Sequence, residues 1–374
     1  MIDQKKAQQL YLLSFSICLI ASFLETTILN NYIPIKVLKY VSLISLLIKI
    51  CFCDRYNKKQ LLLLLLLGIG VILTVYFSTY KSIFICFIFI VGAKDVSFKE
   101  ICKYYFYISL FLMLTIFILS YTGFIENLLY YKENIVRNSF GFSHPTEFSS
   151  HTLFMLISYI LYKNNNLKII DYIVILVIDL LIYKFCYTRL DCICIVLILF
   201  VSILYNRKKI KYNNAFLKNI LIFSCVICAI ISIIASYNYN QNNKYYEKID
   251  EILTYRLSLS KRAFNQNKIK IFGQQINEVN GLKKLQNKEI YYNFIDCSYV
   301  RILLKYGLFL FSVIIVSSVI FNKKLYNSNN YLLLLMIFIV SLASMVSHHY
   351  IDFSYNFLIL AYLSKIDLRG EDCE

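Results

Sequence analysis

The chain has 374 residues, of which 59% are hydrophobic, and it carries a formal net charge of +17 at pH 7. Soluble globular domains are about 45–50% apolar, so the composition excludes an ordinary soluble domain and predicts an all-α integral membrane protein. The charge does not indicate a nucleic-acid partner, because Lys and Arg cluster in short loops between apolar runs, where they fix the orientation of membrane helices.

Apolar runs recur from the N-terminus onward, and each is close to the roughly 20 residues that a helix needs to cross a bilayer. About 12 membrane spans are predicted, at about 10–29, 34–53, 60–78, 80–96, 103–121, 147–162, 168–186, 190–205, 217–236, 298–321, 330–346 and 350–364. They divide the chain into a membrane bundle of about nine spans over 1–236, a long polar loop over 237–297, and about three spans with a tail over 298–374.

The distribution of Lys and Arg predicts the orientation of the chain. With the N-terminus in the cytoplasm, the cytoplasmic loops hold 19 of these residues and the short outer loops hold 7. Both termini are therefore predicted to be cytoplasmic, and the loop 237–297 extracytoplasmic. The positive charge of that loop does not oppose this orientation, because loops of about 60 residues translocate largely regardless of charge.

The long loop carries apolar residues spaced mostly three or four apart, as on one face of a helix: Tyr246, Ile249, Leu253, Leu257 and Phe264. Arg256, Lys261 and Arg262 lie off this stripe. We therefore expect one amphipathic helix over the mouth of the bundle, with its basic side available to an anion. The alternative is a solvated charged face that binds no ligand.

The predicted outer face collects charged and proton-transferring side chains from four separate connections. They are Arg137, His144 and Glu147; Arg189; Arg256 and Arg262; and His348, His349 and Asp352. Arg presents a planar fork of donors that suits phosphate oxygens, so these arginines are candidates to bind a pyrophosphate at the membrane interface. For Arg137 and Arg301 the alternative is a side chain that snorkels to the interface without binding a ligand.

A transfer reaction at such a site would be helped by a general base, and His takes this role most often. The candidates are His144, His348, His349, Glu147 and Asp352. His348 and His349 are adjacent, so on a helix they would point to different faces, which disfavours a metal site formed by both. With no third ligand at a recognised spacing, neither a metal nor another cofactor is predicted.

Several short motifs follow one another along the second half of the chain. They are RNSFGFSHP from Arg137 to Pro145, YTR at Tyr187–Arg189, LTYRL at Leu253–Leu257, IFGQ at Ile271–Gln274, and IDCSY at Ile295–Tyr299 followed by Tyr306 and Gly307. In order and spacing they resemble the Wzy-type polysaccharide polymerases of bacterial capsule, exopolysaccharide and O-antigen assembly, a family related to the O-antigen ligases. The resemblance covers roughly residues 130–310 and the expected membrane topology.

The resemblance implies a helical membrane glycosyltransferase of the GT-C type that needs no metal. Its substrate would be an undecaprenyl-pyrophosphate-linked oligosaccharide, transferred to the nonreducing end of another lipid-linked repeat unit. The reaction would occur at the outer face of the bacterial cytoplasmic membrane. The implied partners are membrane lipid and, in the same pathway, a chain-length regulator and a flippase.

The resemblance also suggests roles for single residues, with Arg256 and Arg189 as ligands of pyrophosphate or sugar. The expected catalytic residues are Arg256, His349 and His348. The two histidines are named from their position in the chain alone. The expected substrate-binding residues are Arg137, His144, Glu147, Arg189, Arg262, Asp296 and Tyr299.

Two other functions fit parts of the pattern. A ligase of similar architecture would move finished glycan to a different acceptor, and the sequence hardly separates it from a polymerase. A flippase or other transporter of lipid-linked oligosaccharide is the alternative from another class. Transporters commonly show paired repeats with polar groups at the membrane midplane, whereas this chain shows no repeat and its polar residues concentrate in a loop.

Overall fold

The computed structural model describes residues 4–132, 135–207, 214–282 and 292–368. Within these residues the chain is mostly helical and also contains a two-stranded antiparallel sheet, in which β1 (Leu129–Lys132) pairs with β2 (Ile135–Asn138). Some positive residues used to predict the orientation lie outside the described residues, namely Lys208, Lys209, Lys211 and Arg369.

The α-helices follow one another with short connections. They are α1 (Gln4–Glu25), α2 (Ile35–Phe52), α3 (Lys58–Ser78), α4 (Ser82–Gly92), α5 (Phe98–Tyr121), α6 (Pro145–Lys163), α7 (Ile169–Cys186), α8 (Arg189–Asn206), α9 (Ala215–Ile222), α10 (Ser224–Tyr237), α11 (Lys244–Ile252), α12 (Arg256–Gln266), α13 (Ser298–Arg301), α14 (Gly307–Asn327) and α15 (Tyr331–Ala343). A π-helix, Ile302–Tyr306, joins α13 to α14, and the 3-10 helices include Phe357–Tyr362.

Five helices are long and apolar enough to cross a membrane: α1, α3, α5, α8 and the stretch Ser298–Asn327 that comprises α13, the π-helix and α14. The pair α9 and α10, bent by 67°, makes a sixth if it is one span. The chain is thus a helical protein of membrane type, but the twelve predicted spans are not confirmed. Both α2 and α7 hold three charged side chains within 18 residues, while α4 and α15 have only 11 and 13 residues.

The prediction of a membrane-spanning helix at 350–364 is wrong. The structure forms turns there and the six-residue 3-10 helix Phe357–Tyr362. This irregular backbone is packed inside protein, since Phe357, Leu360 and Ala361 are fully buried. Irregular backbone at membrane depth is tolerated where it is buried in protein and its polar groups are bonded. The Tyr105 hydroxyl supplies such bonds, donating to two carbonyl oxygens of the preceding turn at 2.8 and 3.0 Å.

The chain divides into two compact units by its contacts. Unit 1 comprises Met1–Tyr56, Ile88–Ile210 and Phe353–Glu374, and unit 2 comprises Asn57–Phe87 and Lys211–Asp352. The predicted division into membrane bundle, loop and last spans follows membrane exposure instead, and it stays a prediction.

In unit 1, α1 lies at the centre of the packing. It packs against α2 and α5, and its side chains Tyr11, Phe15 and Phe23 are fully buried. Small polar residues allow α1 and α2 to approach closely, with 2.6 Å between the hydroxyl oxygens of Ser14 and Ser45. Small residues with bonded hydroxyls are typical of helix contacts in membranes.

In unit 2, two glycines bring the polar loop against the last long helix. Gly273 and Gly307 both have a positive φ, at +78° and +92°, and their backbones are in direct contact. The loop then continues along the helix, because Leu308 N donates to Lys270 O at 3.0 Å and Gln274 N to Lys305 O at 3.1 Å. A Cβ at either glycine would collide with the backbone of the other segment, so this approach requires glycine on both sides.

Replacing Gly307 by Ala is expected to separate these segments and to lower the thermal stability of the detergent-solubilised protein. The left-handed backbone alone costs about 1–2 kcal/mol, and the collision adds about 1–3 kcal/mol. Gly123→Ala is the matched control, because Gly123 also has a positive φ, at +79°, but has open space around it. Equal losses of melting temperature in the two variants would contradict the close approach.

Candidate functional site

An ion triad lies in unit 2, where the polar loop meets the helix that follows it. Glu278 in the loop contacts Arg301 with both carboxylate oxygens, at 2.7 and 2.8 Å, and Lys305 Nζ at 2.6 Å. The three side chains are only 11%, 12% and 5% exposed, respectively. Arg301 and Lys305 are four residues apart and therefore share a helix face, so one carboxylate neutralises part of the charge of both.

Further contacts hold the triad in place. Arg301 donates to Ile295 O at 3.1 Å and lies 4.6 Å from the centre of the Phe294 ring. Lys305 Nζ lies 3.6 Å from the centre of the Tyr80 ring, and the Tyr80 hydroxyl donates to Ile276 O in the loop at 2.8 Å. Snorkelling of Arg301 to the interface was one alternative from the sequence. The structure does not show it, because an ion pair and a backbone carbonyl hold the Arg301 side chain in place.

Arg256 begins α12 and faces a second carboxylate. Its Nε lies 3.9 Å from Asp296 Oδ2, and the two side chains are 17% and 16% exposed. In the described part of the chain, Arg256 makes this one ion contact, which leaves the other donors of its guanidinium group available. Burial raises the pKa of Asp296, although Arg256 and Arg301 oppose the rise and the Tyr292 hydroxyl donates to it at 3.4 Å.

Two helices form the region where one amphipathic helix was predicted. The backbone of Thr254 and Tyr255 is left-handed, with φ of +58° and +64°, which ends α11 before α12 starts. Asp250 explains the break, because its side chain accepts a hydrogen bond from Leu257 N at 2.8 Å and caps α12. The prediction of one continuous amphipathic helix was therefore wrong. The turn between α11 and α12 places Arg256 at the start of α12.

His348 and His349 follow α15 in a turn of unit 2. Their rings lie 4.0 Å apart, and His348 packs edge-on against Phe294 at 4.9 Å. The expectation that these rings would point to different faces of a helix is wrong, because the helix has ended. Burial, followed by the charges of Arg301 and Arg256, lowers the pKa of His349 to about 3, and burial also lowers the pKa of His348 well below its ordinary value.

The cluster formed by Arg256, Arg301, Lys305, Glu278 and Asp296 carries more positive than negative charge. Three basic side chains face two carboxyl groups, and burial lowers the pKa of both neighbouring histidines, which favours their neutral form. Partly buried Arg and Lys side chains interact strongly with phosphate, because the surroundings screen charge less than water does. The arrangement is therefore suited to bind an anion with several oxygens.

Two predicted site residues do not join this cluster. Tyr299 is 1% exposed, and its hydroxyl donates to Ser341 O at 2.9 Å, so it packs in the interior. Arg262 is exposed and makes no hydrogen bond or ion pair within the part of the chain that the structure describes.

In unit 1, three predicted residues gather around Tyr130. The His144 ring packs edge-on against Tyr130 at 4.5 Å, and both Glu147 and Arg137 act electrostatically on the Tyr130 hydroxyl. Burial raises the pKa of Tyr130 to about 12, with Glu147 adding to the rise. His144 caps α6 by accepting a hydrogen bond from Thr146 N at 3.2 Å.

These contacts give each of the unit 1 residues a structural partner. Arg137 Nε donates to Cys186 O at the end of α7 at 2.9 Å, and Glu147 accepts a hydrogen bond from the Tyr355 hydroxyl. Arg189 donates to the Tyr187 hydroxyl and lies 4.7 Å from the centre of that ring. Their partners position all three side chains, and a ligand role for them stays a prediction.

Sequence reasoning missed Glu278, Lys305 and Tyr292 as members of the cluster. A signal for one of them was present, since Lys305 lies with Arg301 inside a predicted span, and charged side chains in membrane spans commonly mark functional sites. Glu278 had no such signal, because it is one of several acidic residues in a polar loop.

Over residues 4–132, 135–207, 214–282 and 292–368, no group of three or more His, Cys, Asp or Glu side chains is arranged to hold a metal ion. The prediction of metal-independent chemistry stays a prediction.

No protein-family model, curated protein or solved structure matches this chain.

The triad makes Glu278 important for stability. Glu278→Ala leaves two partly buried cations without their counter-charge, which is expected to destabilise the protein by about 3–5 kcal/mol. Thermal unfolding of the detergent-solubilised protein measures the effect, and Glu251→Ala, at an exposed acidic residue of α11, is the control. A melting temperature of Glu278→Ala equal to that of the control would contradict the assignment.

Because burial lowers the pKa of His348 and His349, the stability of the protein should depend on pH. Their folded pKa values lie below the ordinary value of about 6.5, so the unfolded chain binds protons first as the pH falls. Stability should therefore fall below about pH 6.5, by about 1.4 kcal/mol per pH unit for each histidine. The double variant His348→Gln, His349→Gln should lose this part of the slope in melting temperature between about pH 7 and pH 5. Unchanged slopes would contradict the buried neutral state.

Proposed function

We propose that this chain is a membrane glycosyltransferase that polymerises lipid-pyrophosphate-linked oligosaccharide repeat units, as the Wzy-type polymerases that its motifs resemble do. The observation that supports this function best is the position of Arg256, which starts a helix beside Arg301 and Asp296 and keeps guanidinium donors available. A pyrophosphate group offers several charged oxygens to such donors.

In the proposed reaction, the bond between the anomeric carbon of the donor sugar and the pyrophosphate oxygen breaks. A hydroxyl of the acceptor glycan forms the new bond to that carbon and loses its proton, and the lipid pyrophosphate leaves with the bonding electrons. Arg256, Arg301 and Lys305 stabilise the negative charge that develops on the leaving group. One such interaction is worth about 3–4 kcal/mol of transition-state stabilisation where water is excluded.

His349 or His348 accepts the proton of the attacking hydroxyl. Only a neutral imidazole accepts a proton, and their surroundings keep both rings neutral. The same cations that lower the pKa of His349 would be neutralised by a bound pyrophosphate. Burial, the largest cause of the low pKa, would remain, but loss of the cationic contribution would raise the pKa of the imidazole and make the ring a stronger base.

The proposal places the protein in the bacterial cytoplasmic membrane with about 12 spans, both termini in the cytoplasm and the loop 237–297 outside. Its substrate is then undecaprenyl-pyrophosphate-linked oligosaccharide at the outer face. A flippase must supply this substrate to that face, and a chain-length regulator of the same pathway would act on the product.

Arg256→Ala is expected to abolish polymer, because the guanidinium group would no longer neutralise the leaving group. The measurement is an electrophoretic profile of surface and lipid-linked glycan from cells that lack the native chain and carry the variant. Single repeat units on the lipid carrier should accumulate.

Lys268→Ala is the matched control, since Lys268 is an exposed cation of the same loop outside the cluster, and it should restore the ladder of the native chain. Long chains in cells with Arg256→Ala, or long lipid-linked polymer accumulating in the deletion strain, would contradict polymerisation. The second result would indicate a ligase.

A further inference from the structure

The helix α11 presents an unusual apolar face. Tyr245, Ile249 and Ile252 lie at positions i, i+4 and i+7, which share one helix face, and they are 83%, 47% and 63% exposed. On the side of α11 that packs against protein, Asp250 is 1% exposed and caps α12. The large apolar side chains therefore point away from the protein, in the part of the chain predicted to be a polar loop.

α11 lies close to the end of the membrane candidate α10. α11 begins seven residues after α10 ends at Tyr237, and Tyr239 packs edge-on against Tyr246 at 6.0 Å. α12 contacts the end of α10 directly, because Lys261 Nζ donates to Tyr237 O at 2.6 Å and Phe264 packs against the Tyr237 ring at 5.8 Å. The two loop helices thus sit at the end of α10.

The exposed surface of α10 leads to the same place. Ile230, Ile234 and Tyr237 share a face of α10 and are 51%, 54% and 61% exposed, as expected for side chains that face lipid. This stripe ends at Tyr237, which is where α12 and α11 are attached. The exposed apolar face of α11 therefore belongs to a helix that lies at the end of a surface of lipid-facing character.

The charges of α11 are distributed as on an interfacial helix. Lys244 and Lys248 precede Tyr245 and Ile249 by one position and flank the apolar face on one side together with Glu251, while Glu247 lies on the far side. Helices that lie in a membrane interface carry Lys beside the buried apolar face, where it reaches the lipid phosphates. Tyr is also enriched at this depth.

We propose that Tyr245, Ile249 and Ile252 insert into the lipid interface at the end of α10, with Lys244 and Lys248 at the level of the phosphates. The contact itself requires no assumption about activity. If the proposed function holds, it also sets the depth of Arg256, because Asp250 of α11 caps the helix that Arg256 begins.

The sequence offers a direct test, because it contains no Trp and a single introduced Trp is the only one in the protein. Full-length Tyr245→Trp and the control Glu247→Trp, on the opposite side of the same helix, are purified and placed in phospholipid nanodiscs with acyl chains brominated near the headgroup. Bromine quenches Trp fluorescence at short range, and aqueous iodide quenches Trp exposed to water.

Quenching by brominated lipid should be several-fold stronger for Tyr245→Trp than for Glu247→Trp, and iodide should show the reverse order. Equal quenching of both by iodide, with no effect of bromine, would overturn the proposal in favour of a solvated helix. Protection of Tyr245→Trp from both quenchers would also overturn it, since a protein surface would then cover the face. Equal melting temperatures establish folding, and if Glu247→Trp does not fold, stronger quenching of Tyr245→Trp by bromine than by iodide supports the proposal, whereas the reverse order overturns it.

Discussion

Arg301 and Lys305 lie one turn apart in a largely apolar helix, and the carboxylate of Glu278 contacts both. Two cations at this level of burial need a counter-charge, and the helix itself supplies none, because no acidic residue occurs between Ser298 and Asn327. The polar loop must therefore return to the helix. Gly273 and Gly307 make that return possible by removing two side chains from the contact.

The same return of the loop brings the other groups of the cluster together. Asp296 and Tyr292 precede the helix directly, and the Tyr80 ring lies against Lys305. Arg256 and Arg301 both act electrostatically on Asp296 and on His349, so a charged ligand that binds the arginines would alter the protonation of both groups. A site with this coupling can link binding of an anion to movement of a proton.

Hydrophobicity predicted the class of the protein and most of its long helices, because the length of an apolar run and the length of a membrane span are set by the same bilayer. It failed at 350–364, where an apolar run is buried in protein without forming an α-helix. The loop helix was predicted from spacing alone, which cannot detect that Asp250 caps a second helix or that Tyr255 adopts a left-handed backbone. The cluster was predicted in part: Arg256, Asp296 and the two histidines were named, whereas the role of Glu278 depends on a contact 23 residues away.

In the proposed function, this one chain forms glycosidic bonds from lipid-pyrophosphate-linked donors without another protein. The most direct measurement reconstitutes the purified chain in lipid vesicles with undecaprenyl-pyrophosphate-linked repeat units and no other protein, and follows the products by electrophoresis. We expect a ladder of lipid-linked chains together with release of undecaprenyl pyrophosphate. Substrate that changes leaflet without lengthening would contradict it and would indicate a transporter.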